Sequence, residues 1–251
     1  EELKFFLSVY HQERRKLIGK KKTISDLLER LLRMRQLCVH PQLYLDGMSR
    51  KTKTDFGKWE QPYVTKMQEL LKCIQSQPAD DKTLIFCQFV QEIHIYTDFM
   101  RQYGYDSVKM DGTMSTKERD DVLHKFNTDP DCKLFFIQID TGGQGINLQN
   151  ANRIYIMSPN WNPAVEHQAI GRAFRTGQQK DVFVTKFCIS SGNEKIPFVE
   201  ENIIKLQERK KQVISDILND DRIVNDGVVH KDLVLNREEI LKLFNIYHEN
   251  C

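Results

Sequence analysis

The sequence lacks the features of a membrane protein and of a disulfide-stabilised secreted protein. No apolar run approaches the ~18 residues that are needed to span a bilayer, and the first residues, EELKFFLSVY, lack the basic and apolar layout of a signal peptide. The six cysteines are scattered and form no C-x-x-C pair. We therefore expect reduced, buried thiols in an intracellular protein that does not contact a membrane.

An excess of charge of one sign is also absent, because 37 basic residues are balanced by 35 acidic ones. With a formal net charge of +2, the whole surface is not expected to attract nucleic acid, so any such surface must be local. One local candidate is the basic cluster at residues 14–16 and 20–22. It is typical either of a solvated helix face or of a contact with a nucleic-acid backbone, where lysines release counterions from phosphates.

Two further absences concern chemistry. Cys38 and His40 are close in sequence but have no partner ligands nearby, so no metal site is predicted. The sequence also contains no G-x-x-x-x-G-K-[ST] loop to cradle phosphates and no acidic pair in Walker-B context to hold magnesium. The chain alone is therefore not expected to hydrolyse a nucleotide.

Between residues 63 and 192, short apolar runs alternate with amphipathic segments. Five runs have the length of strands, at 82–89, 105–112, 133–140, 153–158 and 182–190. Segments at helical spacing lie at 63–76, 91–103 and 115–127. The last of these opens with S-T-K-E, the signature of a capping box. The alternation predicts an α/β domain with an open parallel sheet covered by helices on both faces.

The rest of the chain is predicted to be mainly helical. Residues 1–45 have apolar faces at helical spacing, whereas the polar, Lys-rich residues 46–62 predict a linker. Residues 193–220 predict one long helix with a narrow apolar stripe, and residues 221–251 a tail with a short helix at 237–244. Because the chain begins without Met, in what the pattern predicts to be mid-helix, we expect a piece of a longer protein.

The stretch at residues 141–179 carries the chemistry that the sequence suggests. It opens with a glycine loop and closes with Gln168, Arg172 and Arg175, whose spacing would place them on one face of a helix. The opposite face is expected to pack against the sheet. It consists of Val165, Ala169, Ala173 and Phe174. Arginines held in this way point to a phosphate, and to the stabilisation of charge in phosphoryl transfer.

Six segments, in order and at normal spacing, resemble the second RecA-like lobe of Swi/Snf-type DNA-dependent ATPases in helicase superfamily two. They are LLRMRQLCVHPQL, TLIFCQF, VKMDGTMSTKERDDVLHKFN, IQIDTGGQGINLQNANRIYIMSPNWNP, QAIGRAFRTGQ and FVEENIIKLQERKKQVISDIL. The resemblance covers nearly the whole chain. It implies a RecA-like lobe at 63–192 and a brace helix at 193–220. Residues 1–45 would then come from the end of the first lobe or the inter-lobe region.

By position, the resemblance implies that Arg172 and Arg175 are catalytic arginine fingers. They would reach the γ-phosphate of ATP, which is held with Mg²⁺ mainly by a first lobe that this chain does not contain. The residues implied to face the nucleotide are Gln168, Gly143, Gly145 and Asn147. The residues implied to face DNA are Gln88, Gly112, Thr113, Thr141 and Trp161. No metal ligand is implied.

The sequence departs from the family pattern at several of these motifs. Phe174 stands where the family usually has His, and Thr176 where it has Ile. The family's Ser-Thr-Lys-Ala before the glycines is here Gln-Ile-Asp-Thr, so that Asp140 replaces a lysine and should weaken the local attraction for phosphate. Whether Thr141 replaces the usual hydroxyl contact to DNA is left open. Asn160 replaces the family's Asp before the tryptophan.

The resemblance implies the C-terminal motor lobe of an ATP-dependent translocase on double-stranded DNA, inactive without the first lobe. Its implied partners are double-stranded DNA, the N-terminal lobe of the same protein, and nucleosomes, a polymerase or repair factors. Its implied location is the nucleus. One alternative is an RNA helicase lobe of the same superfamily, which the W-N-P segment and the brace helix disfavour. Another is a non-catalytic interaction module, which Arg172, Arg175 and Trp161 disfavour.

Overall fold

The computed structural model describes residues 1–18, 23–61, 63–141, 146–192, 197–218 and 235–246, without the side chains of residues 211–218. The chain divides into two compact units. The sheet unit comprises Trp59–Ser158 and Ala164–Phe187, and the helical unit comprises Glu1–Lys58, Pro159–Pro163 and Cys188–Cys251. Within the described ranges, no helix combines the length and the apolar character that crossing a membrane requires.

Five parallel strands form one sheet in the sheet unit. They are β1 (Thr83–Cys87), β2 (Ser107–Met110), β3 (Leu134–Gln138), β4 (Arg153–Ile156) and β5 (Phe183–Lys186). Their order is β2-β3-β1-β4-β5, so β1 lies at the centre of the sheet. Every residue of β1 is buried, as expected for a strand covered on both faces, whereas β5 is an exposed edge strand. The predicted α/β fold is confirmed.

Four helices accompany these strands. They are α4 (Thr65–Ser76), α5 (Val90–Gln102), α6 (Thr116–Thr128) and α7 (Pro163–Ile170). α6 begins at the predicted capping box, because the Ser115 hydroxyl accepts the N–H of Glu118 at 3.3 Å and the Glu118 carboxylate accepts the N–H of Ser115 at 2.7 Å. The buried Phe126 of α6 joins strand residues in one core, to which Ala169 and Ala173 also belong.

Five helices among the described residues build the helical unit. They are α1 (Glu2–Leu17), α2 (Ile24–Val39), α3 (Pro41–Thr52), α8 (Val199–Leu218) and α9 (Arg237–Leu243). Their apolar faces enclose a second core, in which Tyr10, Phe198 and Phe244 are almost completely buried. Pro41 separates α2 from α3, since proline cannot continue a helix but is well accommodated in the first turn of the next one.

The helix α3 corrects the linker that the sequence predicts at 46–62, because its last turns extend to residue 52. Gly47 lies so close to α2 that a Cβ atom there would come within 2.0 Å of Arg33 Nη1 and 2.7 Å of Gln36 Oε1. This close packing outweighs the weak helix propensity of the D-G-M-S-R-K-T stretch. Residues 53–61 contain neither helix nor strand.

The basic cluster near the end of α1 is used in part within the helical unit. Arg14 donates two hydrogen bonds, at 3.2 and 3.1 Å, to backbone carbonyls at the C-terminal end of α9. Lys16 pairs at 2.7 Å with Glu13, whose carboxylate is buried. These two side chains have structural roles, while residues 20–22 lie outside the described residues.

Two predicted helical segments are described in part. α8 accounts for residues 199–218 of the long helix predicted at 193–220, and α9 for most of the short helix predicted at 237–244. Residues 193–196 and 219–234 lie outside the described residues.

Candidate functional site

The carboxyl ends of β1, β2 and β3 bring together four of the residues predicted to face DNA. Each strand is followed by one or two of them, namely Gln88, Gly112 with Thr113, and Thr141. Because β3 pairs in parallel with both β1 and β2, the loops after these strands leave the sheet on one side. We call this side the carboxyl edge. It is the edge at which open parallel sheets bind their ligands.

The hydrogen-bond donors at the carboxyl edge bond within the chain. The N–H of Gly112 donates to Oε1 of Gln138 at 3.1 Å. The N–H and the hydroxyl of Thr113 both donate to Oδ1 of Asp111, at 2.8 and 2.6 Å. The hydroxyl of Thr141 donates to the carbonyl oxygen of Gln138 at 2.6 Å. A phosphate that bound through these donors would therefore have to displace an intramolecular acceptor.

Asp111 is the charged group that orders the turn after β2. Burial raises the pKa of Asp111, but the hydrogen bonds from Thr113 and the electrostatic effect of His94 and Lys109 lower it further, so that this pKa lies below its ordinary value. The carboxylate is thus ionised at neutral pH. With Asp140 two residues after β3, the described part of the carboxyl edge carries negative charge, to which Arg119 adds a positive one, since its Nη2 donates to the carbonyl oxygen of Gly112 at 3.5 Å.

The helix that was predicted to present Gln168, Arg172 and Arg175 on one face ends at Ile170. Arg172 and Arg175 lie in turns after it, where each N–H bonds to a carbonyl two or three residues back. Gly171, the first residue after the helix, has a low helix propensity. The prediction of a shared helical face is therefore wrong. Gln168 and Arg175 are nevertheless exposed, and Arg172 is half-buried.

The apolar side of this segment is only partly as predicted. Ala169 and Ala173 are buried in the core of the sheet unit, and Val165 packs against it. Phe174, by contrast, is 70% exposed. Because the helix has already ended, Phe174 does not continue the buried stripe. Its ring is exposed to solvent, although it stands between Arg172 and Arg175 in the sequence.

Residues 171–180, which we call the arginine segment, lie at the opposite end of the sheet. The side chain of Gln178 donates to the carbonyl oxygen of Ala151, just before β4 begins, at 2.9 Å. Lys180 pairs at 3.1 Å with Asp81, just before β1 begins. The strands are parallel, so both contacts mark the same side. We call it the amino edge.

Two glutamines that the sequence analysis did not single out hold the arginine segment. The N–H of Leu148 donates to the carbonyl oxygen of Arg172 at 3.0 Å, and the side chains of Gln149 and Gln178 add further bonds. Asn147, predicted to face the nucleotide, is exposed and bonds at 3.2 Å to Gln149. The R-T-G-Q-Q run was the only indication in the sequence that Gln178 holds this segment, and such a run is equally typical of a polar surface turn.

Trp161 belongs to the helical unit, whereas the other described site residues belong to the sheet unit. The buried Arg35 donates at 3.3 Å to a carbonyl of the Pro159–Pro163 segment and lies 4.7 Å from the centroid of the Trp161 ring. Gln207 of α8 donates to a second carbonyl of that segment. One face of the indole is therefore covered by a cation, and the half-buried ring also packs against the core of the helical unit.

The glycines predicted to line the nucleotide, Gly143 and Gly145, lie outside the described residues. In the ranges that are described, no His, Cys, Asp and Glu side chains cluster in a way that could hold a metal ion. The described residues thus offer arginine charge at the amino edge, and neutral donors beside carboxylates and Arg119 at the carboxyl edge.

Comparison with known proteins identifies relatives of this architecture. Residues 65–177 match the family described as helicase conserved C-terminal domain. A "DNA repair and recombination protein RAD54-like" of Drosophila grimshawi is 29% identical over 229 residues, which cover 84% of this chain and 28% of that protein. The C-terminal domain of the Sulfolobus solfataricus SWI2/SNF2 ATPase is 27% identical, with a TM-score of 0.62 and coverage of 92% of this chain and 93% of that one.

A second solved structure, the Sulfolobus solfataricus SWI2/SNF2 ATPase core in complex with double-stranded DNA, is 25% identical with a TM-score of 0.66. It covers 94% of this chain and 48% of that one. The chain therefore spans 28% of the length of the fly relative but nearly all of a C-terminal ATPase domain. The chain is therefore similar to the C-terminal, RecA-like lobe of the SWI2/SNF2 ATPases of helicase superfamily two.

Proposed function

We propose that this chain is the C-terminal motor lobe of an ATP-dependent translocase on double-stranded DNA. The observation that carries the proposal is the arginine segment. Arg172 and Arg175 lie on an anchored turn at the amino edge of a RecA-like sheet, in a chain that has no phosphate-binding loop of its own. Arginine charge held in this way would complete an ATP site whose other half belongs to the N-terminal lobe of the same protein.

The exposure of the segment fits this role. Arg175 is exposed and Arg172 is half-buried, so guanidinium groups can donate to phosphate oxygens that lie outside the chain. Gln168, exposed on α7, would face the same nucleotide, as would Asn147 beside the arginine segment. Bound ATP supplies the phosphoryl group, and the arginines would stabilise the charge that develops on it. Mg²⁺ finds no ligand cluster in the described part of this lobe, so we assign its ligands to the N-terminal lobe.

Duplex DNA would bind along the carboxyl edge. Gln88, Gly112, Thr113 and Thr141 would contact backbone phosphates through neutral donors, and Trp161 would contact DNA with the exposed part of its ring. ATP and DNA would then meet opposite edges of one sheet, so that movement of the lobe on nucleotide binding would shift the DNA contacts. The DNA in the Sulfolobus complex supports duplex DNA rather than RNA as the substrate.

The similarity to a DNA repair and recombination protein of the fly supports a role in DNA repair or recombination, and with it a nuclear location. Transcription and chromatin remodelling are the other uses of such a motor, and nucleosomes, a polymerase or repair factors would be its partners. Comparing ATPase stimulation by duplex DNA and by RNA tests the substrate directly. We expect stimulation by duplex DNA, and equal or stronger stimulation by RNA would contradict this assignment.

The arginine fingers are tested by Arg172→Ala in the full-length protein. We expect DNA-stimulated ATP turnover to fall by about 10³-fold or more, because the arginine acts on charge that develops in the transition state. Binding of ATP, measured with a fluorescent analogue, should be nearly unchanged.

A matched control is Arg101→Ala, since Arg101 is an exposed arginine on α5 that pairs with the exposed Asp98 at 3.1 Å. This variant should turn over ATP at the wild-type rate. Wild-type turnover in Arg172→Ala would contradict the finger assignment. Loss of ATP binding in that variant would mean that Arg172 binds the ground state rather than the transition state.

A further inference from the structure

The geometry points to Gln178, assisted by Gln149, as the residue that positions the two arginines for turnover. The inference rests on the function proposed above and deepens it. It assigns to Gln178 no contact with ATP. Instead, Gln178 acts through the arginine segment, by fixing the segment to the loop that precedes β4.

Gln178 uses both ends of its side-chain amide. Nε2 donates to the carbonyl oxygens of Gln149 and Ala151, each at 2.9 Å, and Oε1 accepts the N–H of Lys180 at 2.9 Å. Its own N–H donates to the carbonyl oxygen of Arg175 at 3.0 Å. One half-buried glutamine thus joins the turn that carries Arg175 to two carbonyl oxygens of the loop before β4.

Gln149 completes the same arrangement from the loop side. Its Nε2 donates to the carbonyl oxygen of Thr176, and its neighbour Leu148 donates its N–H to the carbonyl oxygen of Arg172 at 3.0 Å. The backbone beside each arginine therefore bonds to this loop. Gly177 allows the turn to pass against Gln149, because it has a φ of +105° and a Cβ there would lie 3.4 Å from the Gln149 amide.

The chemistry of the site requires an amide. The two N–H groups of Gln178 meet carbonyl oxygens, and its oxygen meets an N–H, so a carboxylate of the same shape would face two acceptors with no hydrogen to donate. The turn would then move away from the loop, and the arginines with it. Since a misplacement of about 1 Å can cost ~10²-fold in rate, the effect should appear in turnover and not in ATP affinity.

The test is Gln178→Glu in the full-length protein, with Gln179→Glu as the control. Gln179 is the next residue and is exposed, and its side chain donates to the nearby carbonyl of Gly177 at 3.1 Å. Both variants add the same charge at nearly the same place. We expect kcat of the DNA-stimulated ATPase to fall about 10- to 100-fold in Gln178→Glu, with KM for ATP unchanged, and both constants to be unchanged in Gln179→Glu.

A double-mutant cycle separates positioning from a general loss of structure. If Gln178 acts through the arginine, adding Gln178→Glu to Arg175→Ala should lower kcat by much less than adding it to the wild type. Should Gln178→Glu fail to fold, Gln149→Leu provides a second variant, because it removes the bond to Thr176 at nearly constant volume. We expect that variant to lower kcat too, without a change in KM.

The outcomes distinguish the two proposals. A full-length protein without DNA-stimulated ATPase, or one in which Arg172→Ala is fully active, would overturn both. An active protein that Arg172→Ala inactivates would support the function. In that protein, wild-type kcat in Gln178→Glu, an equal loss in the Arg175→Ala background, or a rise in KM alone would overturn the positioning role.

Discussion

The two edges of the sheet present their polar groups in opposite ways. At the carboxyl edge, the donors of Gly112, Thr113 and Thr141 turn inward to acceptors of the same chain. At the amino edge, the backbone of the arginine segment is bonded to the loop before β4, while Arg175 extends into solvent. The donors of the carboxyl edge are thus already bonded within the chain, whereas the amino edge has an anchored backbone that carries an exposed charge.

This difference matches two kinds of ligand. A charge on an anchored backbone is pre-organised for a single developing negative charge, such as a transferring phosphoryl group. Donors that must exchange one acceptor for another suit a ligand that is held and released in turn, such as successive phosphates of a DNA strand. The comparison therefore predicts that damage at the amino edge lowers turnover, while damage at the carboxyl edge alters DNA contacts and little else.

The largest effect on stability is expected at Glu166, because α7 runs from one edge towards the other and this residue fixes it to the sheet. The Glu166 side chain is completely buried and pairs with Lys186 at the end of β5. Glu166→Ala leaves a partly buried lysine unpaired and should lower the free energy of unfolding by about 3 kcal/mol. Urea denaturation measures this loss.

A surface pair gives the control for Glu166. Glu69 and Lys72 on α4 form an ion pair at 2.6 Å in which both side chains are about half exposed, and Glu69→Ala should cost less than about 1 kcal/mol. Replacing both members of the buried pair, in Glu166→Leu with Lys186→Met, should recover most of the loss. If Glu166→Ala were as stable as Glu69→Ala, α7 would not depend on the pair.

A smaller effect is expected at Asp81, which anchors the amino edge. Its carboxylate accepts hydrogen bonds from Arg153 at 2.6 Å and from Lys180 of the arginine segment at 3.1 Å. Burial raises the pKa of Asp81, but these hydrogen bonds, with one from Asn152, lower it below its ordinary value. Asp81→Asn should therefore reduce stability at neutral pH by about 1–3 kcal/mol.

The stabilisation by Asp81 should depend on pH in a definite direction. Because the folded pKa of Asp81 is lowered, the unfolded chain binds the proton more readily, and the stabilisation is complete above pH ~4 and is lost as pH falls through the folded value. The difference in unfolding free energy between wild type and Asp81→Asn should shrink in that range. Asp98→Asn, at an exposed surface pair, is the control substitution. A constant difference across the acid range would contradict the role of Asp81.

Local patterns were sufficient to predict the sheet and most helices, because a short apolar run indicates a strand buried on two faces and helical spacing is visible within a few turns. The Ser115–Glu118 capping box is such a case, and it begins α6 as predicted. The course of the chain after α7 was not predictable in this way, since the carbonyl of Arg172 accepts a bond from Leu148, which is remote in sequence. Gly47 is similar, because its helix depends on the close approach of α2.

The division of the site between two edges could have been predicted. A helix that follows a strand in a parallel sheet returns to the amino edge, so the residues after α7 had to lie away from the loops that carry Gly112 and Thr141. What the sequence could not show is how the donors are used. The inward bonds of Thr113 help to lower the pKa of the buried Asp111, and no spacing in the sequence reveals that burial.

The smallest effect is expected from Thr113→Val at the carboxyl edge, and it tests the comparison most directly. The change keeps the shape of the side chain but removes the hydroxyl that donates to Asp111 at 2.6 Å. Stability should fall by about 1 kcal/mol, and the pKa of Asp111 should rise, since a hydrogen bond that lowers it is lost. An NMR titration of the Asp111 carboxyl group measures the second effect.

Thr128→Val is the matched control, because the Thr128 hydroxyl donates to a neutral backbone carbonyl on the exposed surface of α6 at 2.8 Å. It should leave the titration of Asp111 as it is in the wild type. If Thr113→Val also left it unchanged, the hydroxyl would not be committed to Asp111. It would then be available to a phosphate without any exchange of acceptors, and the carboxyl edge would be as pre-organised for its ligand as the amino edge is.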